Sequence, residues 1–262
     1  MKIDRNRVEI TFAEYVSHYN AQDEKVKLKI EHTYRVAELC DIIARSVKMK
    51  EEDVDLAWLC GMLHDIGRFE QVKNYGTFID ADSVDHAQYG AEILFDEGKI
   101  YDYLDKPLDE LCDFLRKVIS CHSAYRVPQE YDERVKMFAD ILRDADKIDI
   151  LKVNVEVPLE EIYNITTEEL INAEVTKEVM ESFAEETAIL RALKKTPVDH
   201  VVGHISLVYE LVYPVSVQIV KEQGYLDKLM NFASDNAKTR KQFEILRSMM
   251  QDYIKRRCNC LF

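Results

Sequence analysis

Residues 58–70, WLCGMLHDIGRFE, decide how the rest of the chain is read. Trp58, Leu59, Cys60, Met62 and Leu63 form an apolar run, and His64 and Asp65 follow it directly. An imidazole beside a carboxylate, at the end of a helix that a core holds still, is a pair of metal ligands. Partners lie on both sides. His32 is upstream, and His86, His122 and Asp146 are downstream, each in or beside a segment that reads as helix. These six residues are expected to converge on one metal centre.

Working outward, Leu28, Val36, Leu39, Cys40, Ile43 and Val47 recur at helical spacing and predict a helix over 25–48. It carries His32 and, one turn later on the same face, Arg35. The interval to His64 lets this helix finish and a second, over 54–63, return antiparallel. Glu51, Glu52 and Asp53 suit the N-terminus of that second helix. Gly67 suits its C-cap, which leaves Arg68 in an irregular segment facing the cleft. Residues 71–82 read as a loop anchored by Tyr75 and Phe78. A helix over 83–95, capped by Ser83, has His86 in its first turn and Gly90 one turn on. His122 sits at the end of a helix over 108–120. A helix over 133–151 carries Asp146, and Asp144, Asp146 and Asp149 are not all expected to face a core.

The remainder is also helical. A short helix is expected over 8–19, with His18 on the surface or packed. Residues 153–163 read as an extended linker interrupted by Pro158. Thr166 or Thr167 caps a helix start, and helices follow over 174–193, 200–222 and 236–257, the second kinked or broken at Pro214. His200 and His204 are one turn apart without the acidic residue of a zinc-protease helix, so they read as structural. The chain divides into a metal-binding helical core, 1–155, and C-terminal helices, 156–262, packing on it as one continuous domain.

Composition agrees with this reading. Only 7 Gly and 5 Pro in 262 residues leave few tight turns and favour long helices, so the expected class is all-α. The apolar fraction of 47% is enough for a core. A net charge of −14 excludes non-specific binding to nucleic acid. Cys40, Cys60, Cys112 and Cys121 fall in apolar helical patterns, and Cys258 and Cys260 in a C-terminal tail. No disulfide framework is suggested, which fits a reducing compartment. With no apolar signal region in MKIDRNRVEI and no membrane-length apolar run, a cytoplasmic protein is expected.

Four imidazoles and two carboxylates suit Mn, Fe, Co, Ni or Zn better than Mg or Ca. Asp65 is assigned as a bridge between two ions. A metal lowers the pKa of a bound water toward neutrality, so no protein nucleophile is needed, and neither a serine elbow nor a P-loop occurs. The order and rough spacing of His32, His64–Asp65 and Asp146, in segments reading MLHDIGRF and DADKID, resemble the HD-domain superfamily of metal-dependent phosphohydrolases. The resemblance covers about residues 28–151. His86 in DHAQYG and His122 in SCHSAY match the two additional histidines of its dinuclear members. Residues 69–95 are similar to a group of HDIG-type bacterial proteins known only as phosphohydrolases by inference.

That resemblance implies an HD-domain/phosphodiesterase-like helical bundle with additional C-terminal helices. It implies one or two divalent transition-metal ions (Fe, Mn, Ni, Co or Zn) at His32, His64, Asp65, His86, His122 and Asp146, with Asp65 catalytic. The substrate would be a small phosphorylated molecule, a nucleotide ester or anhydride, with its phosphate held by Arg68, Lys147 and Arg35. The global negative charge makes such local cations necessary. The C-terminal helices are available for a homodimer interface, and neither nucleic acid nor membrane is an expected partner. Some motifs depart from named branches. Ser123 and Ala124 follow His122, so the HD-GYP signatures are absent. Arg68 stands where HDIGK members have Lys and where deoxynucleotide monophosphatases have a catalytic Glu. The Glu-Asp pair of guanosine pentaphosphate hydrolases is missing. Two other readings use the same residues: a non-catalytic HD ligand-binding or signalling module with a structural metal, and a di-iron oxygenase.

Overall fold

A segment that is apolar on every side must be surrounded by protein, and residues 56–63 are buried throughout. In the computed structural model, which describes residues 2–158 and 165–259, they form the second half of helix α3, Glu51–Leu63. The described residues contain helices and no strand. The chain divides into two compact units, Met1–Asp146 and Lys147–Phe262.

In the first unit, α1 (Arg5–Val16) starts at Asp4, whose carboxylate caps Arg7 N–H. Helix α2 (Glu24–Ser46) starts at Asp23 in the same way. α2 and α3 pack closely because Gly61 has no side chain. A Cβ there would lie 2.6 Å from Ala37 Cα. After α3 the chain turns at His64 and Asp65 and re-enters helix as α4, Ile66–Tyr75. Then come α5 (His86–Ala91), continued by a π-turn at Glu92–Asp96, and α6 (Ile100–Tyr103). α7 (Asp109–Ser120) and α8 (Glu133–Glu156) follow, α8 beginning in the first unit and ending in the second.

Helix α1 braces α4. The Phe12 ring packs edge-on against Phe69 and Tyr34, at 5.9 and 5.5 Å between centroids. The Tyr15 hydroxyl lies 3.2 Å from the Ile66 carbonyl, and the Tyr19 hydroxyl donates to Glu70 at 2.7 Å.

Four local expectations are corrected here. Gly67 does not cap α3; it lies inside α4, where a Cβ would meet the His86 carbonyl oxygen at 2.3 Å and Gly90 N at 2.6 Å. Its role is close contact between α4 and α5. Arg68 is therefore helical, and α4 consumes half of the expected 71–82 loop before Gly76, at φ 69°, ends it. Asp85, not Ser83, caps α5, accepting from Ala87 and Gln88 N–H; the Ser83 hydroxyl instead donates to the Ile79 carbonyl. Finally, Asp144 and Asp149 are buried and the Asp146 side chain is 15% exposed, so this acidic run is not a solvated face.

In the second unit, α9 (Thr167–Asn172) begins with a reciprocal capping box between Thr166 and Glu169. α10 (Lys177–Ala184) and a 3-10 turn at Arg191–Leu193 replace the single helix expected over 174–193. Helix α11 (Pro197–Ser206) carries His200 and His204; it is capped by Thr196 in a capping box with Asp199, which also accepts from Thr176 N–H. The helix expected over 200–222 is broken rather than kinked, and Pro214 starts the second piece. It sits at the first turn of α12 (Pro214–Gln223), where a missing N–H costs nothing. α13 (Tyr225–Met230) and α14 (Ala237–Asn259) complete the unit. The linker expected over 153–163 is helical to Glu156. Residues 159–164 and Cys260 lie outside the described residues.

Candidate metal centre

The turn between α3 and α4 puts His64 and Asp65 in the core, both essentially inaccessible. His32 reaches them from the middle of α2, and Asp146 from the middle of α8. His86 comes from the first turn of α5, and His122 from the turn two residues beyond α7. The other five side chains converge on Asp65 or its immediate neighbours.

The two oxygens of Asp65 face different imidazoles. Oδ2 lies 3.5 Å from His32 Nε2 and 3.4 Å from His64 Nε2. Oδ1 lies 3.5 Å from His86 Nε2 and 3.8 Å from His122 Nε2. Asp146 Oδ1 joins the first pair, 3.2 Å from His32 Nε2 and 4.0 Å from His64 Nε2. Within the pairs, the Nε2 atoms of His32 and His64 are 3.3 Å apart, and those of His86 and His122 are 3.0 Å apart. Bonds of about 2.1 Å to one ion place neighbouring donors about 3.0–3.5 Å apart, so the spacing fits coordination. His64 stands between the halves, and its donor also groups with those of Asp65 and His122 within 4.8 Å.

The far side of each ring decides its tautomer. His64 Nδ1 is 2.7 Å from the Gly61 carbonyl and His122 Nδ1 is 2.8 Å from the Ile119 carbonyl. A carbonyl only accepts, so both Nδ1 atoms carry hydrogen. His86 Nδ1 donates to Asp80 Oδ2 at 2.7 Å. Burial acts to raise the Asp80 pKa, but the His86 hydrogen bond and the Arg68 charge outweigh it and pull the group down to about 2. His122 is pushed down to about 3 by burial and by its imidazole neighbours, and His86 is lowered by burial and by Arg68. His86 and His122, each with its hydrogen on Nδ1, turn bare Nε2 lone pairs toward one another. That arrangement repels unless a cation sits among them, so the donor set fits a metal ion. Asp65 and Asp146 remain ionised. Burial opposes this, but Lys29, His64 and Arg68 hold Asp65 far below the usual range, and His32 does the same for Asp146.

Asp80, Asp85 and His86 form another tight group. Asp80 is already accepting from His86 Nδ1, and Asp85 caps α5, so this group orients His86 instead of holding an ion.

Residues 30–151 match the model of the HD domain family. No curated protein and no solved structure matches the chain. The HD family is typically one of metal-dependent phosphohydrolases, and the His and Asp groups found here can hold a metal. No described helix is long and apolar enough to cross a membrane.

The three cations expected at the substrate are placed differently from one another. Arg68 is 14% exposed, with Nε 3.7 Å from Asp65 Oδ1, while Nη1 donates to Gln71 Oε1, the Phe78 carbonyl and Asp80 Oδ1. Arg35 lies a turn after His32 on α2, 3.7 Å from Glu31. Lys147 follows Asp146 in α8 and is buried, at the start of the second unit.

Four supporting residues escape a reading of the sequence. Lys29 Nζ is 2.7 Å from Asp65 Oδ2; its place one turn before His32 could have flagged it, as the same spacing flagged Arg35. Asp80 and the fully buried Gln71 form a network through Ser83 and the Val84 carbonyl. Arg143 is buried, and its Nη1 donates to the carbonyls of Cys121, His122 and Ala124, fixing the turn that presents His122. Nothing in the local pattern around Asp80, Gln71 or Arg143 signals these contacts.

Proposed function

We propose that the protein is a metal-dependent phosphohydrolase of the six-ligand, dinuclear HDIG type. It cleaves a phosphate ester or anhydride of a nucleotide or similar small molecule by attack of water. One observation carries this reading: the two oxygens of Asp65 each face a separate pair of imidazoles. A bridging carboxylate between two ions needs that arrangement, and a single structural ion does not. Divalent transition ions held there would supply a water of lowered pKa and a Lewis acid for the phosphoryl oxygens.

The protein's own contribution is positional. His32, His64 and Asp146 fix one half of the centre, and His86 and His122 the other. Asp80 keeps His86 in the tautomer that offers Nε2. Arg68 keeps Asp80 and Asp65 ionised beside it. Burial of the Asp65 side chain, 2% exposed, keeps bulk water from screening these charges.

The test is metal content per chain, measured by mass spectrometry on protein purified without chelator or air, followed by a panel of phosphomonoesters, cyclic nucleotides and dinucleoside phosphates. The expected result is bound transition metal and turnover of one class. Asp65→Ala should lose both while keeping its helical signal. Turnover that survives in Asp65→Ala sinks the proposal.

A further inference from the structure

Asp65 has a neighbour that the ligand scheme does not use. Lys29 Nζ lies 2.7 Å from Oδ2, the same oxygen that faces His32 and His64. Lys29 precedes His32 by one turn on α2, and its side chain is 16% exposed where that of Asp65 is 2% exposed. Lys29 is therefore the member of the pair that solvent reaches.

The two cations beside Asp65 are held in different ways. Arg68 is fixed by three acceptors on α4 and the following loop, all on Nη1. The Lys29 ammonium rests on Asp65 alone among the described residues, with the face of Phe78 5.5 Å away. An ammonium on a flexible four-carbon stem can turn to a new acceptor, and a guanidinium locked by three acceptors cannot. A metal ion shared by His32, His64 and Asp146 would draw on the lone pairs of Oδ2 that Lys29 now uses. Two cations at one carboxylate oxygen repel each other. Of the two, the ammonium is the one able to move.

We propose that Lys29 is a phosphate-binding residue of this site. It gives up Oδ2 of Asp65 to the metal centre and donates instead to a non-bridging oxygen of the substrate's phosphoryl group. This rests on the metal-centre reading above and adds to it a named cation for an anionic substrate. A chain of net charge −14 requires such a cation if an anion is to enter.

The experiment is isothermal titration of Mn2+ into the protein, then of inorganic phosphate into the Mn2+-loaded protein. Lys29→Met and Lys29→Gln are compared with the unaltered chain. The second variant retains a donor for Asp65 and guards against collapse around a bare carboxylate. Both variants should bind Mn2+ at least as tightly as the unaltered protein, because a competing cation is gone. Both should bind inorganic phosphate about tenfold more weakly, the usual effect of losing one charge-assisted hydrogen bond. Unchanged phosphate affinity in both variants overturns the proposal. Loss of Mn2+ binding in both also overturns it, since Lys29 is then a prop for Asp65. If the unaltered protein itself takes up no Mn2+, the metal-centre reading fails first and this proposal falls with it.

Discussion

His86 and His122 point Nε2 at Nε2 across 3.0 Å, while each ring's Nδ1 donates behind it, to Asp80 and to the Ile119 carbonyl. No hydrogen is left to place between them when both rings are neutral. A cation relieves that repulsion, so His122→Ala should lose the share of metal held by this pair and keep the share held by His32, His64 and Asp146. Metal analysis of the variant, beside a circular dichroism spectrum, checks this. Full metal content in His122→Ala would contradict it.

Asp80→Ala should weaken metal binding by about 10–100-fold without touching a ligand, which is the usual cost of removing the group that orients a ligating histidine. The same change frees Arg68 Nη1 and Gln71 Nε2 from one acceptor each. Competition with a chromophoric chelator measures the affinity. An affinity equal to that of the unaltered protein would remove Asp80 from the site.

Gly67→Ala sets two effects against each other. Alanine in a helix gains about 1 kcal/mol over glycine. The added Cβ, however, would stand 2.3 Å from the His86 carbonyl oxygen and 2.6 Å from Gly90 N, and both neighbours are backbone. Neither can swing aside, so the clash should win, with a net loss of about 2 kcal/mol from overpacking. Because α5 carries His86, the variant should also lose metal before it loses fold. Urea denaturation and metal analysis on one preparation test both parts.

Arg143→Met should destabilise the protein by roughly 2 kcal/mol, since it takes the arginine donor from the buried His122 carbonyl and from the part-buried Ala124 carbonyl, while Cys121 O keeps the Ala124 N–H. Methionine preserves the bulk, so a cavity is not the cause. A fall in the urea midpoint at unchanged slope is the expected result, and a midpoint within error of the unaltered protein would refute it.

Acid should weaken the second unit through His204. Burial, with Lys194 and His200 nearby, pushes its pKa down from 6.5 to about 3. The unfolded chain therefore binds the proton more readily than the folded one. The contribution is complete above pH 6.5 and is lost as pH falls from there toward 3. Unfolding of His204→Gln should depend less steeply on pH over that window than unfolding of the unaltered protein. Parallel curves for the two proteins would show that His204 is not a source of the acid sensitivity.

The helices bearing these residues are legible because their signals are local. An apolar run before His64 predicts α3, and helical periodicity around His32 predicts α2. Once both are helices, the intervals bring His32, His64 and Asp65 together almost by necessity. What escapes is set by contacts between segments. Gly67 looks like a helix end because glycine is common there, but its small size is used for the approach of α5. Asp144 and Asp149 look solvated because a run of carboxylates usually is. Asp80 meets His86 only through the shape of the loop between α4 and α5, which no periodicity describes. Arg143 binds four carbonyls, and a carbonyl has no residue identity to read.

The brace that α1 gives to α4 has a practical meaning for anyone dividing the gene. The match to the HD domain model starts at residue 30, but Phe12, Tyr15 and Tyr19 come before that boundary and hold Phe69, Ile66 and Glu70. A fragment trimmed to 30–151 would open a hole behind the Asp65 turn where an aromatic ring now sits. It would also cut α8 short of Glu156. Such a fragment would carry every ligand and lack the scaffold that aims Asp65, so its inactivity would say nothing about the chemistry of the intact chain.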